Sequence, residues 1–541
     1  MKRQNVIMQN NTFNENVDIV FVVPALKSRI KDESIGSLIL AKKAILAGFK
    51  VKIVRWWNSK YSPKENYEEF KSDIIRIILS FNPQIISFYC RCEEYHICID
   101  LSNKIKEINK QAIISFGGPQ AELVSTETIS RFQFIDYVCC SEGENTIVPF
   151  LNYLIKNNGT IQDIDGLVYR DSLGTVVRNK LPKFLDDNYC RTFYYYDLIP
   201  EICFSDCESM PIDVGRGCPF SCTYCSTKTF WKRKFRLRNI QDTVDEICYV
   251  YNTYGINQFD FMHDLFTVSK KRIMDFCTEI ENRGIRVHWG CDSRIDTIDF
   301  NMIDRMIDCG LYKIFFGIET GSQRMQSLIN KKLNLQKCDE IVRYCIMKGL
   351  NVTTSFIYGF PEEREDDLSE TISMAVRFQN YGCTVLTNMC HIMNGTELYN
   401  VYKSNLVLNK ATSYNDCIIA FRHLFGLISE NIDMFANFCD FPNPLREEMK
   451  FFDVFRYTLY YAKKNMPMEH SILTKRNYAN MKMYRVFCKA NNDVFYKQIS
   501  PSDGNVSNIK HYLKHETADS LYKLMIYNLI AEYNKQDGCN N

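Results

Sequence analysis

From Asp18 onward, short runs of β-branched and aromatic residues alternate with longer segments whose apolar positions recur every three to four residues. Ile19–Val23, Val51–Arg55, Ile85–Tyr89, Ile113–Phe116 and Tyr137–Cys140 predict strands, and Ile35–Ala47, Glu65–Leu79, Ile97–Asn109 and Thr146–Ile155 predict helices between them. Such alternation implies an α/β fold: a parallel, doubly wound sheet over residues 17–156, with its ligand crevice beyond the carboxyl ends of the strands. The tips facing that crevice are Pro24–Leu26, Cys90–Arg91, Gly117-Gly118-Pro119-Gln120 and Ser141-Glu142-Gly143-Glu144. Glycines there either let a bulky ligand approach the backbone or only permit tight turns, and the pattern does not choose.

The same alternation returns over residues 211–400. Strands are expected at Met210–Val214, Gln258–Met262, Arg286–Gly290, Lys313–Gly317, Asn351–Ile357 and Thr384–Met389. Helices are expected at Asp242–Tyr254, Lys271–Arg283, Phe300–Cys309, Ser322–Ile329, Gln336–Lys348 and Asp366–Gln379. Six βα units make a partial (β/α)6 barrel of the TIM type, whose function should collect at the C-terminal strand ends. Residues 157–210 read as a connector holding a small hairpin around Asp171-Ser172-Leu173-Gly174 and an aromatic run, Phe193–Tyr196, that packs. Residues 401–541 are mainly helical and are expected to close the open side of the barrel; His511 and His515, one helical turn apart, read as a solvent-facing pair. Residues 1–16, polar and Asn-rich, read as a flexible leader.

Composition narrows the class. At 541 residues the chain exceeds one hydrophobic core, and 46% hydrophobic with 24% charged residues is the balance of a folded soluble protein. A net charge of +2 without a long basic run gives no electrostatic case for nucleic acid. Apolar runs fall well short of the ~18 residues a membrane span needs. The 23 cysteines are scattered and no signal peptide opens the chain, so the expectation is reducing cytoplasm and no membrane.

Three of those cysteines stand apart. Cys218, Cys222 and Cys225 lie within Gly215-Arg-Gly-Cys-Pro-Phe-Ser-Cys-Thr-Tyr-Cys-Ser-Thr227, where Gly217 and Pro219 favour a loop. Three thiolates at this spacing can hold three corners of an iron–sulfur cube and leave the fourth iron open, whereas a structural zinc site would close its shell with a second CxxC pair. Polar residues gather at the barrel strand ends: His263-Asp264, Cys291-Asp292-Ser293-Arg294, Glu319-Thr320-Gly321-Ser322 and Tyr358-Gly359-Phe360-Pro361-Glu362. A zwitterionic amino acid joined to a ribose needs such groups: a carboxylate for its ammonium, an arginine for its carboxylate and an acceptor for its hydroxyls. The plainer alternative makes Arg294 and Glu319 an ion pair and Asp264 a helix cap.

With Tyr224 before the third cysteine, the loop resembles the CxxxCxφC signature, φ aromatic, of the radical S-adenosylmethionine superfamily. The resemblance implies a [4Fe-4S] cluster held by Cys218, Cys222 and Cys225, which binds S-adenosylmethionine and cleaves it reductively to methionine and a 5′-deoxyadenosyl radical. It places His263 and Asp264 at the methionyl amine, Ser293 and Arg294 at the strand-four position for the methionyl carboxylate, Glu319 at the strand-five ribose acid, and Phe356-Ile357 with Gly359 at the strand-six adenine platform. Ser34-Ile35-Gly36, Gly117-Gly118 and Glu142-Gly143 make the first sheet similar to the Rossmann-like cobalamin-binding domain of one subclass, which often holds its corrinoid without a histidine on cobalt. The expected activity is methylation of an unactivated carbon in a small molecule or peptide, with an electron donor such as flavodoxin or ferredoxin. Two alternatives stay open: epimerisation, cyclisation or rearrangement without cobalamin, and a non-catalytic iron–sulfur electron-transfer or metal-binding protein.

Overall fold

A computed structural model describes residues 16–205, 207–408, 418–474, 480–492 and 517–538. Within them the chain divides into two units: one drawn from Met1–Leu185, Thr192–Cys207 and Asp416–Met434, the other from Asp186–Arg191, Glu208–Asn415 and Phe435–Asn541.

The first unit is built on seven strands: β1 (Ile19–Val23), β2 (Val51–Arg55), β3 (Ile85–Tyr89), β4 (Ile113–Gly117), β5 (Tyr137–Cys139), β6 (Leu167–Arg170) and β7 (Val176–Arg178). They lie in the order β2-β1-β3-β4-β5-β6-β7. β1 to β5 pair in parallel, and the hairpin β6–β7, expected within a connector, instead extends the sheet antiparallel to β5. β1, central among the parallel strands, is apolar and buried at every position, as a strand covered on both faces requires. Helix Ile35–Leu46 starts where Ser34 accepts the Ser37 N–H, and helix Tyr67–Leu79 where Asn66 accepts the Glu69 N–H, caps worth about 1 kcal/mol each. Ile19, Phe21, Phe49, Ile85, Phe150 and Leu151 form the core between the sheet and helices Ile35–Leu46 and Ile147–Lys156. Part of the region expected to close the barrel belongs to this unit: the Gln120 side chain donates to the Met434 carbonyl at 2.8 Å, and Arg131 grips Asp433.

The second unit holds β8 (Met210–Asp213), β9 (Gly215–Arg216), β10 (Arg236–Leu237), β11 (Gln258–Met262), β12 (His288–Ser293), β13 (Leu311–Glu319), β14 (Asn351–Tyr358), β15 (Thr384–Met389), β16 (Val407–Leu408) and β17 (Cys439–Asp440). Six of them form one all-parallel sheet, β15-β14-β13-β12-β11-β8, each joined to the next by a helix: the partial barrel. Residues on one face of these strands are buried against the helices, among them Phe261, Trp289, Cys291, Val385 and Thr387. The alternating positions Met262, Asp292, Leu386 and Asn388 keep solvent access, so the concave face is an open lumen. β12 runs from His288 to Ser293, later than the expected Arg286–Gly290, because Gly290 sits inside the strand, beneath a Lys313–Asp260 bridge of 2.5 Å. The residues assigned to strand-four, strand-five and strand-six positions therefore end the third, fourth and fifth strands of this sheet.

Helices Phe452–Asn465, Met481–Ala490 and Thr517–Gly538 pack together and onto helix Glu365–Tyr381, with Thr387 of β15 bonded to Asp453. They continue the outer helical layer past the edge strand. Residues 1–15, His511 and His515 lie outside the described residues. Among the described residues, no helix is long and apolar enough to cross a membrane.

Candidate active site

β9 and β10 pair antiparallel, so the chain from Gly217 to Phe235 is an excursion anchored at both ends just beyond the carboxyl end of β8. It carries Cys218, Cys222 and Cys225. None of the three is in a disulfide; Cys222 is buried, and burial pushes the Cys218 thiol up to about 11 and that of Cys225 upward as well. Among the described residues no three His, Cys, Asp or Glu side chains converge as a single ion requires. An iron–sulfide cube offers each thiolate its own iron, so its ligands need not converge.

The barrel strand ends clamp this loop. Arg294, at the end of β12, lies with its guanidinium 3.8 Å above the Phe220 ring and an Nη atom 3.7 Å from the Cys222 sulfur. Asp296 grips it by two bonds of 2.9 Å, and the Lys331 carbonyl accepts from it at 2.8 Å. Asp264 accepts from the Gly217 N–H at 2.9 Å and from the Thr227 hydroxyl at 3.2 Å, tying the end of β11 to both sides of the cysteines. Glu319, the last residue of β13, is held at φ 72°, a left-handed conformation that costs a non-glycine residue about 1 kcal/mol or more. Its carboxylate receives the Lys331 ammonium at 2.6 Å; Lys331 also donates to the Tyr224 hydroxyl at 3.3 Å. The proposed Arg294–Glu319 pair therefore does not form, each having another partner.

Sequence reasoning missed the strap 329–332. Thr223 N–H donates to the Ile329 carbonyl at 3.0 Å, Asn330 donates to the Ser221 carbonyl and hydroxyl at 3.0 Å, and Lys331 reaches Tyr224. These contacts fix the middle of the cysteine loop from outside it. The only local signal is Asn330-Lys331-Lys332 after a short helix, and both Asn330 and Lys332 are left-handed.

Several expected residues separate. His263 does not accompany Asp264: it is buried against Phe235, its Nδ1 accepts the Leu265 N–H at 2.7 Å, and burial lowers its pKa to about 4. It is thus a neutral imidazole that shapes its own loop. Ser293 is buried and shares a hydrogen with Thr267 at 2.7 Å, which turns it away from the position assigned beside Arg294. Ile357 and Tyr224 do come together, in an apolar cluster with Phe360, Met325 and Ile392. In the lumen, burial and then the neighbouring Asp264 and Asp260 carboxylates push Asp292 up to about 6.

At the crevice of the first unit the picture is mixed. A Cβ on Gly118 (φ 101°) would lie 2.8 Å from the Cys90 carbonyl oxygen, so this glycine lets two strand tips pack together. Gly143 lies against Leu40, and the buried Glu142 carboxylate accepts the Leu185 N–H at 2.7 Å. By contrast, Gly36 faces open space, and a Cβ on Gly117 would meet only the Cys139 carbonyl, at 3.9 Å. Ser87 retains solvent access although it lies inside β3, between β1 and β4, and its register partner is the small Ser115. The Ser141 hydroxyl is buried without a hydrogen-bond partner.

A cysteine-bearing loop clamped over the carboxyl mouth of an open parallel barrel, after a doubly wound parallel sheet, defines a class of α/β enzymes that mount a cluster at that mouth. Residues 212–375 match the Radical SAM superfamily. The chain is 30% identical over 308 residues to an uncharacterized methyltransferase of Pyrococcus horikoshii (56% of this chain, 66% of that protein). It is 25% identical over 362 residues to the cytidylyl-2-hydroxyethylphosphonate methyltransferase of Streptomyces wedmorensis (58% and 66%). The chain spans just under two thirds of the length of these curated relatives. In fold it is similar to the radical S-adenosylmethionine methyltransferase TsrM of Kitasatospora setae, solved with cobalamin and a [4Fe-4S] cluster, at a TM-score of 0.60 and 15% identity over 83% of this chain and 88% of that one.

Proposed function

We propose that this chain is a cobalamin-using radical S-adenosylmethionine enzyme that methylates an unactivated carbon of a small molecule or peptide. The observation that carries the reading is the Arg294 guanidinium at the Cys222 sulfur, inside a ring of barrel strand ends that pins the three-cysteine loop. When bound, the cluster supplies the electron that splits S-adenosylmethionine into methionine and a hydrogen-abstracting deoxyadenosyl radical, and the corrinoid supplies the methyl group.

The residues present fit both groups. Cys218, Cys222 and Cys225 hold the cluster; Arg294, already oriented by Asp296 and Phe220, offers a cation to the methionyl carboxylate, and Asp264 an anion to its ammonium. Glu319 accepts from ribose hydroxyls, with Lys331 setting the carboxylate's direction, while Ile357 and the Tyr224 ring present an apolar wall to adenine. Asp292 and Met262 reach into the lumen, where a substrate would displace water. In the first unit, the open backbone at Gly36 and Gly117, the accessible Ser87 and the orphaned Ser141 hydroxyl suit a large planar cofactor with a polar tail. Glu142, Gly118 and Gly143 serve the fold instead. The electron comes from a one-electron carrier of the flavodoxin or ferredoxin class, and the cysteines call for a reducing, cytoplasmic setting.

The test is anaerobic reconstitution with iron, sulfide and hydroxocobalamin, followed by S-adenosylmethionine carrying an isotopically labelled methyl group. The expected result is a retained corrinoid spectrum, label on the bound corrinoid, and deoxyadenosine once reductant is added. A protein that makes deoxyadenosine but retains no corrinoid would overturn the methylation reading in favour of a corrinoid-free rearrangement or epimerisation.

A further inference from the structure

Immediately after the cysteines the chain makes a tight turn, Trp231-Lys232-Arg233-Lys234, in which the last three residues are all exposed. Lys232 (φ 51°) and Arg233 (φ 60°) are both left-handed, a conformation that L residues with side chains rarely adopt twice in succession. Three like charges side by side add repulsion to that strain. The turn persists because it is packed onto the cysteine loop. Gly217 (φ 84°), which precedes Cys218, is so close that a Cβ there would lie 2.0 Å from the Lys234 carbonyl oxygen, and Arg233 Nε donates to the Pro219 carbonyl at 3.1 Å.

The neighbouring cations are already occupied. Arg216 pairs with Asp213, Arg238 with Asp242 and Glu246, and Lys228 with Glu397. Among the described residues, Lys232, Arg233 and Lys234 enter no ion pair, so a compact patch of +3 faces solvent in a chain whose net charge is only +2. Uncompensated like charge on a strained, anchored turn steers and docks an oppositely charged surface. Its backbone touches the residue next to Cys218, so whatever docks there sits on the loop that holds the cluster.

We propose that the Lys232–Lys234 turn is the docking site of an acidic one-electron carrier protein, which delivers its electron to the cluster through the Gly217–Cys218 edge of the loop. This rests on the cluster assignment above. The transfer balances as one electron: the carrier's flavin hydroquinone is oxidised by one electron, the cluster is reduced by one, and no bond is made or broken in either protein.

The experiment compares the reconstituted wild type with Lys232→Glu/Lys234→Glu and with Lys232→Arg/Lys234→Arg, leaving Arg233 to hold Pro219. Two readouts are taken. One is affinity for an acidic flavodoxin by calorimetry; the other is the rate of bleaching of cluster absorbance by reduced flavodoxin and, separately, by photoreduced deazaflavin, a small donor that needs no docking surface. The expected result is at least a tenfold loss of flavodoxin affinity and reduction rate in the reversed variant at low salt. That difference should shrink toward none at ~1 M salt, where the screening length is about 3 Å. The arginine variant should match wild type, and deazaflavin should reduce all three equally. Equal flavodoxin binding by the reversed variant, or a loss that salt does not narrow, would overturn the docking site. A reconstituted wild type without iron–sulfide absorption would instead overturn the cluster assignment, and flavodoxin binding would still be measurable.

Discussion

At the tips of the first sheet, Glu142 is turned onto the Leu185 N–H, Glu122 onto the Ser141 N–H, and Gly118 against Cys90. At the mouth of the second, Asp264 and Arg294 reach sideways to the cysteine loop, and Glu319 to Lys331 of the strap beside it. Both places lie where parallel sheets present ligand sites. In the first, polar side chains complete the backbone and the residues left for a ligand are small: Gly36, Ser87 and Gly117. In the second, glycine matters less, and Arg294 and Glu319 are each held by a second charge, Asp296 and Lys331. Under the proposed function, the bulky corrinoid is met by space and the zwitterionic methionyl group by countercharge.

The comparison breaks most severely at the cysteines. Cys222→Ser should abolish cluster formation and deoxyadenosine production while leaving corrinoid retention by the first unit intact. Iron, sulfide and corrinoid content measured on one anaerobic preparation check this. Normal iron content would remove Cys222 from the ligand set, and joint loss of corrinoid would show that the two sites are not separable.

Next comes the charge behind the charge. Lys331 and Glu319 are both over nine-tenths buried. Lys331→Met should leave an uncompensated carboxylate, a change that costs about 3–5 kcal/mol where such pairs are buried. Glu319→Gln/Lys331→Met should recover most of that loss without recovering S-adenosylmethionine affinity. Denaturant midpoints of the apoprotein read the first effect, equilibrium dialysis the second. A single variant within ~1 kcal/mol of wild type would mean that the pair does not hold the site.

What the sequence revealed follows the same division. Strand and helix positions were legible because both sheets are buried on one or both faces, so a continuous apolar run marks β1 and polar–apolar alternation marks β11. The cysteine loop was legible because its chemistry is local. Asn330 and the reach of Lys331 to Tyr224 were not, since Ser221 and Tyr224 lie more than a hundred residues away, and nothing in an Asn-Lys-Lys run records that or the pairing of Lys331 with Glu319. His263 and Ser293 were assigned from the resemblance together with Asp264 and Arg294; in the structure they turn instead to the Leu265 N–H and the Thr267 hydroxyl, local partners that a motif position does not record. Gly290 was read as a strand end because a glycine's other use, room for Lys313 to cross, depends on a neighbour in space.

A smaller pair of changes sharpens the first-unit half. Ser87→Tyr should fill the accessible space beside Ser115, cutting corrinoid retention about tenfold at a stability cost of roughly 1–3 kcal/mol. Glu142→Gln should weaken the bond to Leu185, at about 1–2 kcal/mol, and leave corrinoid retention unchanged. Corrinoid titrations of the two variants decide it; if Glu142→Gln lost the corrinoid and Ser87→Tyr kept it, the roles assigned here to space and charge would be reversed.

The smallest effect probes the lumen itself. Burial first, and then the neighbouring Asp264 and Asp260 carboxylates, push Asp292 up to about 6 from the usual carboxyl value of 3.8. A raised folded value means that the native state binds the proton more tightly than the unfolded chain, so this group makes stability fall as pH rises from about 4 through about 6. Solvent reaches the side chain, and screening reduces the contribution to a fraction of a kcal/mol. Asp292→Asn removes the titrating group, and its stability should be flatter than wild type across that window and slightly greater above it. Urea midpoints at pH 4, 5, 6 and 7 measure both. A variant whose slope matches wild type would mean that Asp292 binds its proton no more tightly in the fold than in the unfolded chain, so that neither burial nor the carboxylates around it act on it in the lumen.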